Sequence, residues 1–221
     1  YNLALESVLE RAGKTEILQE VRRVAEMVNI ISVRQKQQLG LGHAVLCAKE
    51  VVKNDPFAIM VGDDLMFGMD PAIKQLIDVA KSEKLPVVGV VEVPHEKVSR
   101  YGIIQGDQFA PGLYRVRDMV EKPPVDEAPS NLAIVGRYVL TPEIFDHLES
   151  QEPGHGGEIQ LTDALKGLAN DKNLLAVKMR GQRFDAGDWA EYLTANIYFA
   201  LQDESLRYEL VGKLKNFLQM E

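Results

Sequence analysis

The chain has 221 residues, 46% hydrophobic and 26% charged, with a formal net charge of -8. That is the ordinary mix of a globular protein with enough apolar material for its own core, and the acidic balance disfavours a broad nucleic-acid or anionic-membrane surface. No uninterrupted apolar run is long enough to span a bilayer, and the single cysteine, Cys47, excludes an internal disulfide.

In chain order, residues 1–29 read as one or two helices. Leu5, Val8, Leu9 and Ala12 recur at helical spacing, as do Ile17, Leu18, Val21, Val24 and Ala25, with a break at Gly13–Thr15. Ile30–Val33 reads as a short β-branched strand, followed by a Gly40/Gly42 loop and a helix over 43–52, where Cys47 is a small buried hydrophobe. Phe57–Val61 is a continuous apolar run, expected to be a buried parallel strand, and it stops at Gly62-Asp63-Asp64. Asp70-Pro71 predicts a helix start, Val87–Val93 a second buried strand, and 103–105 with 114–120 a meander. Ile134–Leu140 predicts a strand, Thr141-Pro142 another helix start, 159–168 a helix and 174–179 a strand ended by Arg180-Gly181. Two amphipathic helices over 189–201 and 206–218 close the chain, with Asp203 capping between them. The alternation of strand and helix predicts an α/β class with a mostly parallel sheet. We expect a single domain over 1–221, in which 188–221 is a C-terminal helical segment.

In such a sheet, ligands gather at the carboxyl ends of the strands. Four loops there carry suggestive side chains. In the first, Gln35 offers a carbonyl and an amide that match the imide edge of a pyrimidine. Gly40 would let a flat base approach the backbone, and the helix-start amides suit an anion, although Gly-x-Gly by itself reads as a plain turn. In the second, a carboxylate of Asp63-Asp64 could hold Mg²⁺ against phosphate oxygens or simply make a turn. In the third, Glu121 suits sugar hydroxyls and Lys122 a phosphate. Adjacent strand residues point to opposite faces, so both reach one ligand only at an irregular strand end, which Pro123-Pro124 favours. In the fourth, after a strand, Asp185 could be a second metal ligand before Gly187, in a pattern common in ordinary turns. The four histidines lack zinc-ligand spacing. Neither a Gly-x-Ser-x-Gly elbow nor a complete Walker loop is present, and Trp189, Tyr192, Tyr198 and Phe199 read as helix packing.

The order of these signals is more specific than any one of them. Gln35-x4-Gly40-Leu41-Gly42-His43-Ala44 leads to Gly62-Asp63-Asp64, Arg100-Tyr101-Gly102, Val120-Glu121-Lys122-Pro123 and Asp185-x-Gly187. This series resembles the nucleoside-diphosphate-sugar pyrophosphorylases. The stretches 39–48, 128–140 and 157–164 resemble, within them, the bacterial UTP–glucose-1-phosphate uridylyltransferases. The similarity runs from the opening helix to about Trp189. It implies a Rossmann-like nucleotidyltransferase fold, a Mg²⁺ cofactor and transfer of a uridylyl group from UTP to glucose 1-phosphate, giving UDP-glucose and pyrophosphate. It implies Gln35 and Gly40 on uracil, Asp63 and Asp185 on Mg²⁺, Gly102 and Glu121 on glucose and Lys122 on the sugar phosphate, with Gly136 lining the sugar pocket. Asp64 departs from an apolar residue in many relatives, a difference expected to matter little. The family's opening strand and Gly-x-Gly-Thr-Arg loop have no counterpart in the chain, which starts at Tyr1, so we expect the biological start to lie upstream and this chain alone to turn over poorly. The resemblance also implies a cytoplasmic homo-oligomer, a dimer or tetramer, with no nucleic-acid or membrane partner. Competing readings are another sugar-nucleotide pyrophosphorylase, such as a thymidylyltransferase, or a non-catalytic regulatory relative.

Overall fold

A computed structural model describes residues 2–171 and 173–219 of the chain. They fall into two compact units, Tyr1–Lys36 and Gln37–Glu221. The first holds two helices, α1 (Leu3–Arg11) and α2 (Thr15–Glu26), separated at Gly13, which has φ 66°. The Asn2 side chain accepts from the Leu5 amide at 3.0 Å and caps α1. Arg22 donates to the buried Glu6 carboxylate at 2.8 Å. The expected strand over Ile30–Val33 does not form, and Ile30 and Ile31 are 80% and 68% exposed. A β-branched run is only a candidate strand: the structure needs a neighbour to satisfy its amides and carbonyls. Among the described residues no segment pairs with this one.

The second unit begins with α3 (Leu41–Leu46) and α4 (Lys49–Val52), so the helix expected over 43–52 starts earlier and breaks at Cys47–Ala48. Cys47 is only half-buried. There follow β1 (Phe57–Met60), β2 (Asp64–Phe67), α5 (Ala72–Glu83), β3 (Val87–Glu92), β4 (Gly102–Ala110), β5 (Leu113–Glu121) and β6 (Leu132–Leu140). The remainder is α6 (Ile144–Ser150), α7 (Leu161–Asn170), β7 (Leu175–Lys178), β8 (Gln182–Asp185), α8 (Trp189–Gln202) and α9 (Glu204–Leu218).

The central sheet has six strands in the order β1-β6-β3-β7-β5-β4. It is mixed, as the mostly parallel mixed sheet expected for this class would be, but with fewer parallel neighbours: among the described residues β3–β7 is the parallel pair, and the other pairings are antiparallel. Four strands do share one direction, but β6 and β5 run against them and separate them. A β4–β5 hairpin and the long return strand β6, inserted between β1 and β3, cause this. The same insertion makes β1 antiparallel to its neighbour rather than parallel, and among the described residues β1 is an edge strand with Met60 62% exposed. The uninterrupted apolar run 57–61 misled because it carries no signal of which neighbours it will have.

Period-two alternation supplies both faces of the sheet. Val88, Val90, Ile134, Tyr138 and Leu140 face α6 and α7, where Phe145, Leu148, Leu161 and Leu165 are buried with them. Val87, Val135, Val139, Leu175 and Val177 face α5 through Leu76. The result is a three-layer α/β arrangement, helices on both faces of a mixed sheet. Outside it, β2 and β8 form a two-stranded ribbon. Tyr198 and Phe199 of α8 pack on that ribbon, with ring centroids 5.1–6.0 Å from Phe184 and Phe67. Trp189, 76% exposed, stacks on Tyr192. Asp203 accepts from the amides of Ser205 and Leu206 and caps α9, as its position in the sequence implies.

Candidate functional site

The ribbon places the acidic residues. Its antiparallel register sets Asp64 directly opposite Asp185, with Asp63 one residue earlier, in the turn that leaves β1. Asp185 is thus the last residue of a strand, not part of a loop after one. The Ala186 amide donates to the Asp63 carbonyl at 2.8 Å, and the Gly187 amide to Asp185 Oδ1 at 3.0 Å. A carbon added at Gly187 would sit 3.1 Å from Asp185 Oδ1 and 3.4 Å from Asp63 Oδ2, so both carboxylates reach one point in space. Two hard oxygen donors without a third protein ligand suit Mg²⁺, which keeps several positions for water and substrate phosphate.

Beside the carboxylates lies a cavity of about 360 Å³. Asp63, Asp185, Gly102, Glu121, Lys122 and Gly136 all line it. The β4–β5 register places Gly102 opposite Glu121, and a side chain at 102 would come within 3.1 Å of Glu121 Oε2. Thr162, at the start of α7, donates to the same oxygen at 2.6 Å and fixes the carboxylate. The next residue, Lys122, has φ 46°, a left-handed conformation, and its amide donates to the Tyr101 carbonyl at 3.0 Å. This is the irregular strand end that Pro123-Pro124 suggested. It lets two consecutive side chains reach one cavity, with Lys122 Nζ 3.6 Å from Glu121 Oε1. At Gly136 a β-carbon would lie 2.7 Å from Val61 Cβ and 3.0 Å from Asp64 Cβ, so only glycine fits this floor without movement.

Asp64, expected to matter little, is closely engaged in the structure. It is buried and accepts from Arg183 at 2.8 and 3.1 Å and from the Gly136 amide at 2.7 Å. Arg137 in turn donates to the Asp64 carbonyl at 2.6 Å. Burial works against the Arg183 charge, but the Asp64 carboxylate more than offsets it, leaving Arg183 well above the ordinary guanidinium range. Tyr138, on the cavity wall, is raised above the ordinary phenol range by burial and then by the charges of Glu121 and Asp64.

Gly40 precedes α3 with φ 92°, and a β-carbon there would press on Glu158 Cβ at 2.8 Å and the Ile159 carbonyl at 2.9 Å. Its neighbour Leu41 lines the cavity. The Gly42 amide is already committed to the Ile159 carbonyl at 2.9 Å, which removes one of the helix-start donors expected for an anion. Gln35 belongs to the first compact unit. Residue-by-residue reading assigned no role to Thr162, Tyr101, Arg100 or Arg183. The first three sit inside the stretches that carry the resemblance, and that was the available signal.

Residues 5–201 match the model of the nucleotidyl transferase family. The chain is 43% identical over its full length to the UTP–glucose-1-phosphate uridylyltransferase of Bacillus subtilis (strain 168), covering 76% of that protein. It is 46% identical over 96% of its length to the enzyme of the same name from Staphylococcus epidermidis, covering 73% of it. Among solved structures it is similar to a UTP-bound UGPase from Acinetobacter baumannii, with a TM-score of 0.84 and 38% identity over 100% of this chain and 76% of that one. It is also similar to a UDP-glucose pyrophosphorylase complexed with UDP-glucose, with a TM-score of 0.80 and 41% identity over 85% of this chain and 72% of that one.

Proposed function

The chain belongs to the nucleotidyl transferase family, and on that premise we propose that it transfers the uridylyl group of UTP to glucose 1-phosphate, giving UDP-glucose and pyrophosphate. The observation that carries this reading is the convergence of Asp63 and Asp185 on one point beside a cavity lined by Glu121 and Lys122. We take residues 1–221 as one nucleotidyltransferase domain ending in the helical segment 188–221.

The nucleophile is an oxygen of the sugar phosphate, anionic at neutral pH, so the reaction needs no general base. What remains is alignment of three groups, the attacking oxygen, the α-phosphorus and the leaving pyrophosphate, together with neutralisation of their charge. Lys122 would hold the sugar phosphate as a point charge. Glu121, fixed by Thr162, would accept hydrogen bonds from glucose hydroxyls, with Gly102 and Gly136 leaving room for the ring. Gly40 would receive the uracil. Asp63 and Asp185 would hold Mg²⁺, which when bound supplies positive charge to the phosphate oxygens. The left-handed backbone at Lys122 supports this assignment, because such strain persists where surrounding structure holds a side chain in place for use.

The test is a panel of nucleoside triphosphates and sugar 1-phosphates, assayed by pyrophosphate release with Mg²⁺, on a form of the protein that carries the family's opening strand and Gly-x-Gly-Thr-Arg loop, wild type and Asp63→Ala. UTP with glucose 1-phosphate should be preferred, and Asp63→Ala should abolish turnover while its far-UV circular dichroism is unchanged. Preference for thymidine triphosphate would move the substrate assignment, and full activity in Asp63→Ala would end the metal role.

A further inference from the structure

The ion pair of Asp64 and Arg183 stands behind the carboxylates rather than among them. Arg183 lies two residues before Asp185, so both side chains project from the same face of β8. Its Nη2 is 3.9 Å from Asp185 Oδ2, too far for a hydrogen bond. The same nitrogen is 3.1 Å from Asp64 Oδ2, and Nε is 2.8 Å from Asp64 Oδ1, a two-pronged grip. The guanidinium face lies over the Tyr101 ring at 5.2 Å, and Nη1 donates to the Tyr101 hydroxyl at 3.5 Å. Asp64 is in turn held by the Gly136 amide at 2.7 Å. Asp185 therefore has a permanent cation beside it, tethered to another acid.

We propose that Asp64 is a positioning residue: by gripping Arg183 it keeps that guanidinium from closing on Asp185 and leaves the Asp185 carboxylate open to a divalent cation. The inference rests on the reading of Asp63 and Asp185 as cation ligands. Without the Asp64 charge, the carboxylate left within 4 Å of Arg183 among the described residues is Asp185, and closing the 3.9 Å gap would occupy Asp185 Oδ2. Even without movement, the neutralisation of Arg183 would be lost, and its charge would oppose a cation bound a few ångströms away. A merely structural ion pair makes no such directional demand. It requires only that breaking either half destabilises the fold.

The experiment is a titration of the full chain with Mn²⁺ alone, read from the electron paramagnetic resonance signal of free Mn²⁺, with folding checked by circular dichroism. Asp64→Asn should weaken Mn²⁺ binding at least about fivefold, as expected for one uncompensated positive charge nearby. The double variant Asp64→Asn/Arg183→Gln, which removes both charges and should fold even where the single variant does not, should bind within about twofold of wild type. Arg183→Gln alone should bind Mn²⁺ at least as tightly as wild type, because Asp64 then adds uncompensated negative charge. Binding in Arg183→Gln or the double variant that is much weaker than wild type overturns the proposal, as does unchanged binding in a folded Asp64→Asn. Asp63→Asn separates the two levels of argument. If it binds Mn²⁺ like wild type, the cation-ligand reading fails and takes this inference with it. If it loses Mn²⁺ while Asp64→Asn does not, only the positioning role falls.

Discussion

Lys122→Gly should make the protein more stable and less active. Among the described residues, Lys122 is one of three non-glycine residues with positive φ, at 46°; the others are Lys53 and Lys84, both at 57°. A left-handed residue bearing a β-carbon costs about 1–2 kcal/mol, and glycine removes that cost while adding some entropy to the unfolded chain. Little else is lost. The Lys122 amide keeps its bond to the Tyr101 carbonyl, and the contact between Lys122 Nζ and Glu121 at 3.6 Å involves a lysine that is 43% exposed, so it contributes little. The net gain is about 0.5–1 kcal/mol, or roughly 2–3 °C in Tm for a chain of this length. Loss of one charged contact to phosphate should lower kcat/KM for glucose 1-phosphate on the order of ten- to hundredfold. Lys84→Gly, at the C-terminal cap of α5, is the control: it should gain similar stability with no change in activity. Urea unfolding and pyrophosphate release measure the two effects. A Lys122→Gly protein that is less stable than wild type, or as active, would refute the link between strained backbone and phosphate binding.

Gly136→Ala would place a carbon 2.7 Å from Val61 Cβ. It should cost about 1–3 kcal/mol and raise KM for glucose 1-phosphate severalfold, and a variant with wild-type KM would place the sugar elsewhere. Phe145→Ala removes a ring that is 1% exposed and stacked 5.3 Å from Phe57. Urea denaturation should show a loss of about 3–5 kcal/mol, and a loss below about 1 kcal/mol would mean that this core relaxes freely. Asp188 is held below its ordinary carboxylate value of 3.8 by the Glu191 amide and then by Arg100. A carboxylate depressed in the folded state contributes stability above its unfolded value and loses it as pH falls through the folded one. The fall in Tm from pH 5 to pH 3 should therefore be shallower in Asp188→Ala than in wild type, and equal slopes would count against this assignment.

The sequence was most informative where local chemistry decides the outcome. Asp203 caps α9, Gly13 breaks α1 from α2, and the apolar runs 87–93 and 134–140 became β3 and β6 because their burial on both faces was already encoded. It was least informative about partnership. Ile30–Val33 and Phe57–Val61 are both apolar and β-branched or aromatic, yet one stays unpaired among the described residues and the other forms an antiparallel edge. Whether a strand forms, and in which direction it pairs, depends on residues distant in the chain. The site divides in the same way. Glu121, Lys122, Asp63 and Asp185 were legible as charges at strand ends, and the proline pair hinted at the kink that joins the first two. The ion pair of Asp64 was not legible because its partner Arg183 lies 119 positions later, and a single residue cannot show its partner.

The β2–β8 ribbon has a consequence for how such a protein can change. Asp185 ends β8 and Asp63 sits in the turn just before β2, so the two carboxylates of the candidate cation site meet where the ribbon joins the central sheet: Asp64, opposite Asp185, also accepts from the Gly136 amide of β6. Gly102, Glu121 and Gly136, proposed for the sugar, stand on β4, β5 and β6, and Gly136 bonds to Asp64 as well. Drift in β6 would therefore be felt at both the proposed sugar pocket and the proposed cation site, so the two cannot evolve as fully separate modules.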